Sequence, residues 1–254
     1  MKKILFTIIG LIWMHMLIAQ APEIQWERNF GGDETENFTG LGESPDGYFY
    51  FAGTSTSPAS GDRTQARRGS YDFWIVKTDA DGNIIWNKAV GGGGATRMNS
   101  MTVTADGGII LAGNTDAGAN YEKSEPNRGP IGSVDIWVIK LDNKGNKVWD
   151  KTLGGTDSDA PFAIAETPDG GCIVAGESSS PKSGDKSEEN YGKRDAWAIK
   201  LNNLGVKEWD KVYGGSEGDV FYSVVNTNDG GFLFGGASVS GISGNKTEAS
   251  RGGA

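Results

Sequence analysis

One block of sequence returns along the chain and restricts what the chain can fold into. DAWAIKLNNLGVKEWDKVYGG at 195–215 recurs as DIWVIKLDNKGNKVWDKTLGG at 135–155 and as DFWIVKTDADGNIIWNKAVGG at 72–92. Its last third stands alone near the start, as IQWERNFGG at 24–32. A unit that returns with its tryptophans, lysine and glycine pair in step is a single supersecondary building block, which limits the fold to repeat architectures. Four landmarks give the period independently. The tryptophan before the glycine pair falls at Trp26, Trp86, Trp149 and Trp209, and the pair begins at Gly31, Gly91, Gly154 and Gly214. A turn aspartate falls at Asp46, Asp106, Asp169 and Asp229, and the glycine closing the next apolar run at Gly53, Gly113, Gly176 and Gly236. Every series steps by 60, 63 and 60, and the three extra residues lie between Gly113 and Asp135.

Each unit divides into four short runs. The first, such as FAIAET at 162–167 or FYSVVN at 221–226, is mixed and rich in small residues, as a strand near a crowded centre would be. A PDG or NDGG turn follows, where Asp supplies the local hydrogen bond and Gly the positive φ of a tight hairpin. The second run (YFYFAG, IILAG, CIVAG, FLFGG) is nearly all apolar, which over so few residues means a strand covered on both faces. The third begins D-x-W and is expected to be half-buried; the fourth, ending W-[DN]-K, is charged, as a solvated edge strand should be. Forty glycines with only 37% hydrophobic residues agree with many short strands and tight turns.

The expected fold is therefore all-β: a β-propeller of four-stranded antiparallel blades, read from the axis outwards, with an incomplete ring. Residues 20–31 would be a latching strand of the fourth type. Residues 32–91, 92–154 and 155–214 would be blades, and 215–254 a partial fourth. The next D-x-W aspartate falls due at position 255, so the chain is expected to be the N-terminal piece of a longer propeller, its unpaired edge making it poorly soluble alone. Trp74, Trp86, Trp137, Trp149, Trp197 and Trp209 recur at blade spacing, which makes them wedges between blades first; glycan stacking by Trp74, Trp137 or Trp197 is the alternative.

Residues 1–19 carry Lys2, Lys3 and then a largely apolar run of sixteen residues, too short for a span of ~20 and shaped like a secretory signal, with an uncleaved anchor as the alternative. Cleavage after Ala19 is favoured over Ala21, which would leave Pro22 next. Export to the medium or the outer cell surface follows, with no membrane span in the mature chain. Without Lys2 and Lys3, 22 basic residues face 33 acidic ones, which disfavours nucleic acid as a partner. His15 lies in the signal, so the mature chain has no histidine for a triad or for zinc, and the single Cys172 sits in an apolar run as a core residue.

The composite of [SP]-x-DGG-[apolar]-AG, S-G-[DN]-[KR]-[ST]-E, D-x-W-x-[IV]-K-L-[DN]-x-x-G-x-x-x-W-[DN]-K and G-G resembles the sixty-residue repeats of propeller proteins secreted by Bacteroidota. The resemblance covers essentially the whole mature chain. It implies export by the type IX route, and it carries no catalytic residues.

In a four-stranded blade the loops alternate sides, so the loop between strands two and three shares a face with the loop to the next blade. The first set is long and polar (54–71, 114–134, 177–194 and 237–253). The second is acidic in three of four units: Asp33, Glu34 and Glu36; Asp157 and Asp159; Glu217 and Asp219. This is the candidate binding face, and its carboxylates could hold calcium, although a solvated acidic face is the simpler reading. No other cofactor is expected. The Asp79–Asn83 run imitates the start of a calcium loop but is better explained as a hairpin turn. The SGDRTQ, SGDKSE and SGNKTE segments, from Ser60, Ser183 and Ser243, either dock a partner or fold each loop onto its own blade, the second being favoured. Asp72, Asp135 and Asp195 are expected to cap backbone amides. The function expected is a noncatalytic scaffold binding protein or glycan. The rivals are a carboxylate-based glycoside hydrolase or lyase and a structural spacer for a further module.

Overall fold

The computed structural model describes residues 23–251. The signal segment 1–19 and the closing 252–254 lie outside the described residues. Within them every regular element is a strand. The first sheet has β1 (Glu36–Glu43), β2 (Phe49–Ser55), β3 (Asp72–Thr78) and β4 (Ile84–Val90). The second has β5 (Thr96–Val103), β6 (Ile109–Thr115), β7 (Asp135–Leu141) and β8 (Lys147–Leu153). The third has β9 (Asp159–Glu166), β10 (Cys172–Ser178), β11 (Asp195–Leu201) and β12 (Lys207–Tyr213). A two-stranded sheet of β13 (Asp219–Asn226) and β14 (Phe232–Ser238) follows. All pairs are antiparallel and run in chain order. The first strands of successive sheets lie against one another, β1 on β5, β5 on β9 and β9 on β13, a propeller-like arrangement of blades with those strands innermost. The described residues close no ring.

The inner hairpins follow from their turn chemistry. Thr167 donates its hydroxyl to Asp169, whose Oδ1 also accepts from Gly171 N at 3.1 Å, while Gly170 turns the chain at φ +77°. Each innermost strand carries a bulge, which the sequence pattern does not reveal. The bulge explains the glycine that closes the second run: a Cβ on Gly176 would stand 2.0 Å from the Ala160 carbonyl oxygen.

The third strands differ from the half-buried expectation, since β3, β7 and β11 are buried at every residue. Their two faces lie in the layers between sheets; each strand opens on a buried aspartate and carries one lysine, Lys77, Lys140 or Lys200, near its other end. Lys140 reaches Asp106 Oδ2 at 2.9 Å and Lys200 reaches Asp169 Oδ2 at 2.8 Å, so the repeat's lysine and its turn aspartate form a pair. Lys77 instead donates to the Asn143 carbonyl at 3.1 Å and lies over the Tyr48 and Tyr50 rings.

The tryptophans supply the mortar. Trp137 joins Phe73, Ile75 and Val90 of the first sheet to Ile109, Leu111 and Ile139 of the second. Trp197 does the same between Ile110, Ile136 and Val138 of the second sheet and Val174 and Ile199 of the third. Each buried indole also needs an acceptor. Trp74, Trp137 and Trp197 donate to Asn87 Oδ1 (3.3 Å), Asp150 Oδ2 (3.0 Å) and Asp210 Oδ2 (3.0 Å), the variable residue of W-[DN]-K on the neighbouring strand. The same oxygens accept the backbone amides of Thr64, Ser124 and Ser187 from the long loops. One polar position per repeat thus ties strand, indole and loop together.

The fourth-strand tryptophans reach forward instead. Trp86 and Trp149 donate to the carbonyls of Asn143 and Asn203 in the β7–β8 and β11–β12 turns, at 3.3 and 3.0 Å. No such turn lies beside Trp209 among the described residues, and it is 36% exposed, packed on Phe232. The glycine of each such turn lies under the indole that caps it: Gly205 has φ +75°, and a Cβ there would meet the Trp149 ring at 2.7 Å. Gly205→Ala is expected to cost about 1–3 kcal/mol from left-handed strain and the displaced ring, measured as a lower urea midpoint with an unchanged slope.

Residues 23–30, expected as a fourth-type strand, form no strand. They nevertheless occupy the corresponding outer place, where Trp26 donates to the Ala80 carbonyl at 2.8 Å and Phe30 packs on Phe51 with ring centroids 5.2 Å apart. The reason is pairing: no third strand lies beside this segment among the described residues, so its anchors are side chains alone.

Candidate binding face

The two loop sets of the candidate face are sewn together by a repeated stitch. The backbone amides of Asp62, Glu122, Asp185 and Asn245 donate to the carbonyls of Gly31, Gly91, Gly154 and Gly214. Ser60, Ser183 and Ser243 accept from Asp33 N (2.9 Å), Thr156 N (3.0 Å) and Ser216 N (2.8 Å). Three residues earlier, Ser57, Ser180 and Ser240 accept from Glu34 N (2.9 Å), Asp157 N (2.9 Å) and Glu217 N (3.0 Å). The S-G-[DN]-[KR] segments therefore fold each long loop back over the loop between sheets. In the second unit Ala117 and Asn120 replace these serines, and Ala95 N is held by Asp116 Oδ1 at 2.6 Å instead.

This stitching divides the seven acidic candidates into two groups. Asp33, Glu34, Asp157 and Glu217 sit at the exposed tips, with Glu34 near Arg67 (3.6 Å) and Glu217 on Lys193 (3.0 Å). Glu36, Asp159 and Asp219 point inward. Asp159 Oδ2 accepts from Gly155 N (2.8 Å) and Ser180 Oγ (2.9 Å), and Asp219 Oδ2 accepts from Gly215 N and Ser240 Oγ, both at 2.8 Å. Glu36 accepts from Ser55 and Ser57 through Oε1 and from Gly32 N through Oε2. No three Asp, Glu, His or Cys side chains are placed to hold a metal together among the described residues.

The aspartates opening the third strands hold backbone amides. Asp72 accepts from Arg68 N (2.8 Å) and Gly69 N (3.1 Å), Asp135 from Arg128 N, and Asp195 from Tyr191 N and Gly192 N. Burial pushes the Asp135 carboxyl up to about 6, with the Asp159 charge adding to the rise, and burial also raises Asp159 and Asp195. The Cys172 thiol is pushed up to about 12, chiefly by burial, which makes it an inert core group. Asp79 closes a turn by accepting from Asp81 N and Asn83 N at 3.0 and 2.8 Å. A cleft of about 400 Å³ opens beside β14, lined by Tyr213, Phe221, Ser238 and Lys246 together with Gly214 and Asp219 of the acidic loop.

Sequence reasoning missed Asn87, Asp150 and Asp210, although a fixed Asp/Asn after the fourth-run tryptophan was visible. It also missed the serines as a stitch, whose signal was their constant distance from the preceding glycine.

No family model matches the chain. Over 135 residues, 52% of this chain, it is 25% identical to the regulatory protein FlaEY of Caulobacter vibrioides, and the match spans 14% of that protein's length. Among solved structures it is similar to a protein of unknown function from Bacteroides caccae (12% identity, TM-score 0.45, 80% of this chain and 54% of that one). It is also similar to the Synechocystis apocarotenoid oxygenase (12% identity, TM-score 0.42, 82% of this chain and 43% of that one). These likenesses carry neither an activity nor a ligand to this chain.

Proposed function

We propose that this chain is the N-terminal part of an exported β-propeller of the sixty-residue-repeat type, with three full blades and a partial fourth. In this reading it is a noncatalytic scaffold that binds protein or glycan at the cell surface. The observation that carries the reading is the stitched loop face: serine-held loops present Asp33, Glu34, Asp157 and Glu217 outward at equivalent places, on a backbone fixed by hydrogen bonds. Fixed loops on a rigid frame favour recognition. The inward acids serve as loop staples, which leaves Asp33, Glu34, Asp157 and Glu217 as the acids free to meet a partner. Residues 1–19 support export, and the type IX route rests on the repeat resemblance.

Binding is tested by pulldown and glycan array on the longest chain the gene encodes. Replacing the four outward acids by Asn and Gln is expected to weaken capture at least about tenfold, roughly 1.4 kcal/mol, with stability unchanged to within about 0.5 kcal/mol. Turnover of a polysaccharide that disappears in Asp157→Asn or Glu217→Gln would replace the binding reading by the hydrolase or lyase one.

A further inference from the structure

Two junctions between sheets bring buried carboxylates face to face. Asp135 of β7 and Asp159 of β9 are 0% and 1% exposed, and both approach Gly154. Asp135 Oδ1 and Asp159 Oδ2 stand 2.6 and 3.0 Å from the point a Cβ on Gly154 would occupy, so they are separated by no more than the sum of those distances. The next junction repeats this: Asp195 Oδ1 and Asp219 Oδ2 stand 2.3 and 2.7 Å from the same point on Gly214. Glycine leaves room for the two acids where any side chain would part them.

The hydrogen bonding is incomplete at three of the four acids, with the Ser178 side chain close to Asp159. Asp135 Oδ1, Asp159 Oδ1 and Asp195 Oδ1 are buried without a partner, whereas the opposite oxygen of each acid accepts backbone or serine donors. A buried acceptor with no donor is costly, and two ionised carboxylates at this separation repel. The first junction has neither defect. There Thr96 replaces the second acid and bonds Thr115, and Arg63 is bonded to Asp72 Oδ2 at 2.7 Å. At the later junctions Lys123 and Lys186 take the place of Arg63 but donate to the carbonyls of Glu125 and Glu188, leaving the acids without a direct cation. The charges facing Asp135 are Lys123, Arg128 and Asp159; those facing Asp159 are Asp135 and Lys186, and those facing Asp195 are Lys186 and Asp219.

We infer that the Asp135–Asp159 and Asp195–Asp219 junctions each hold one proton between their two carboxyl groups, a carboxylic acid of one donating to the carboxylate of the other. The proton turns an unpartnered acceptor into a donor and removes one of two like charges. The sheets are then joined more tightly in mildly acidic solution than in neutral solution. The sign follows from the raised folded value. An acid held near 6 in the fold and near 3.8 when unfolded contributes stability below the unfolded value, and that contribution is lost as pH rises through about 6. Over that window the folding equilibrium of the chain is expected to weaken by about a hundredfold for Asp135 alone.

The test is urea unfolding of the whole chain in metal-free buffer between about pH 4 and pH 7. It compares wild type with Asp135→Asn, with Asp159→Thr, which copies Thr96, and with Lys123→Arg, which copies Arg63. The wild-type midpoint is expected to fall as pH rises through 6, and the fall to shrink in all three variants, with the Asp195–Asp219 junction keeping its own share. Lys123→Arg guards against a fold lost with the carboxylate, because it keeps both acids. An unchanged fall in Asp159→Thr and Lys123→Arg overturns the inference. So does a wild-type midpoint raised by millimolar calcium at neutral pH and insensitive to it in Asp135→Asn, which would assign the niche to a metal ion.

Discussion

Replacing Trp137 by alanine is expected to lower the unfolding free energy by about 3–5 kcal/mol, the range for removing a large aromatic from a packed core. The indole is fully buried, lies 5.3 Å from the Phe73 ring at 32°, and is the side chain that bridges the first and second sheets. Its loss opens a cavity in the layer joining two blades, so a repeat protein whose sheets hold only their neighbours loses a link along the arc. Trp137→Phe should cost about half as much, since most of the apolar area stays while the bond to Asp150 goes. Asp150 keeps two partners, Ser124 N and Lys147 Nζ, both at 2.8 Å, which limits the polar part of the loss. Trp209→Ala is the matched control. At 36% exposure and with no bond to a following turn among the described residues, it is expected to cost under about 1 kcal/mol. Urea unfolding of the three variants checks the order.

Arg63→Met is expected to be comparably severe, about 3–5 kcal/mol, because it strands a buried aspartate. Arg63 and Asp72 are both fully buried, 2.7 Å apart, and the guanidinium also donates to Ser55 Oγ and the Gln65 carbonyl. Removing the cation leaves Asp72 with its two backbone donors and a bare charge. Arg63→Lys should recover only part of the loss, because the lysines in the equivalent place of the second and third units donate to the Glu125 and Glu188 carbonyls and not to the aspartates. The double change Arg63→Met with Asp72→Asn should also recover much of it, which separates the stranded charge from lost packing. A double change as damaging as Arg63→Met alone would assign the cost to volume.

Strand order, the hairpin turns, the buried second runs of β6 and β10 and the tryptophans between blades were legible because each is local or is repeated at a constant period. The second run of β14, expected to be covered on both faces, is largely exposed because no third strand or further sheet lies against it among the described residues. A D-G turn or an apolar run needs no partner from another unit. The third strands proved more buried than their composition implied. The third runs carry Lys77, Lys140 and Lys200, and only the fold brings the turn aspartates within reach of Lys140 and Lys200. The acidic loop residues read as one class because they share a loop; which of them points inward depends on serines some twenty residues away. The carboxylate junctions were illegible for the same reason. Asp135 and Asp159 belong to different sheets, and their meeting depends on the backbone space that Gly154 leaves between them. The N-terminal segment had the composition of an outer strand, but composition does not supply a neighbour to pair with.

The central claim is that third-strand indoles are locked between successive sheets while the last fourth-strand indole is not. Hydrogen exchange of the indole Nε1–H groups, followed by NMR, reads this directly. Trp137 and Trp197 should exchange only through global unfolding, with protection that falls in step with added urea, while Trp209 should exchange near the rate of a free indole. Equal, rapid exchange at all three would contradict the claim, since indoles wedged between sheets and bonded to Asp150 and Asp210 could not open independently of them.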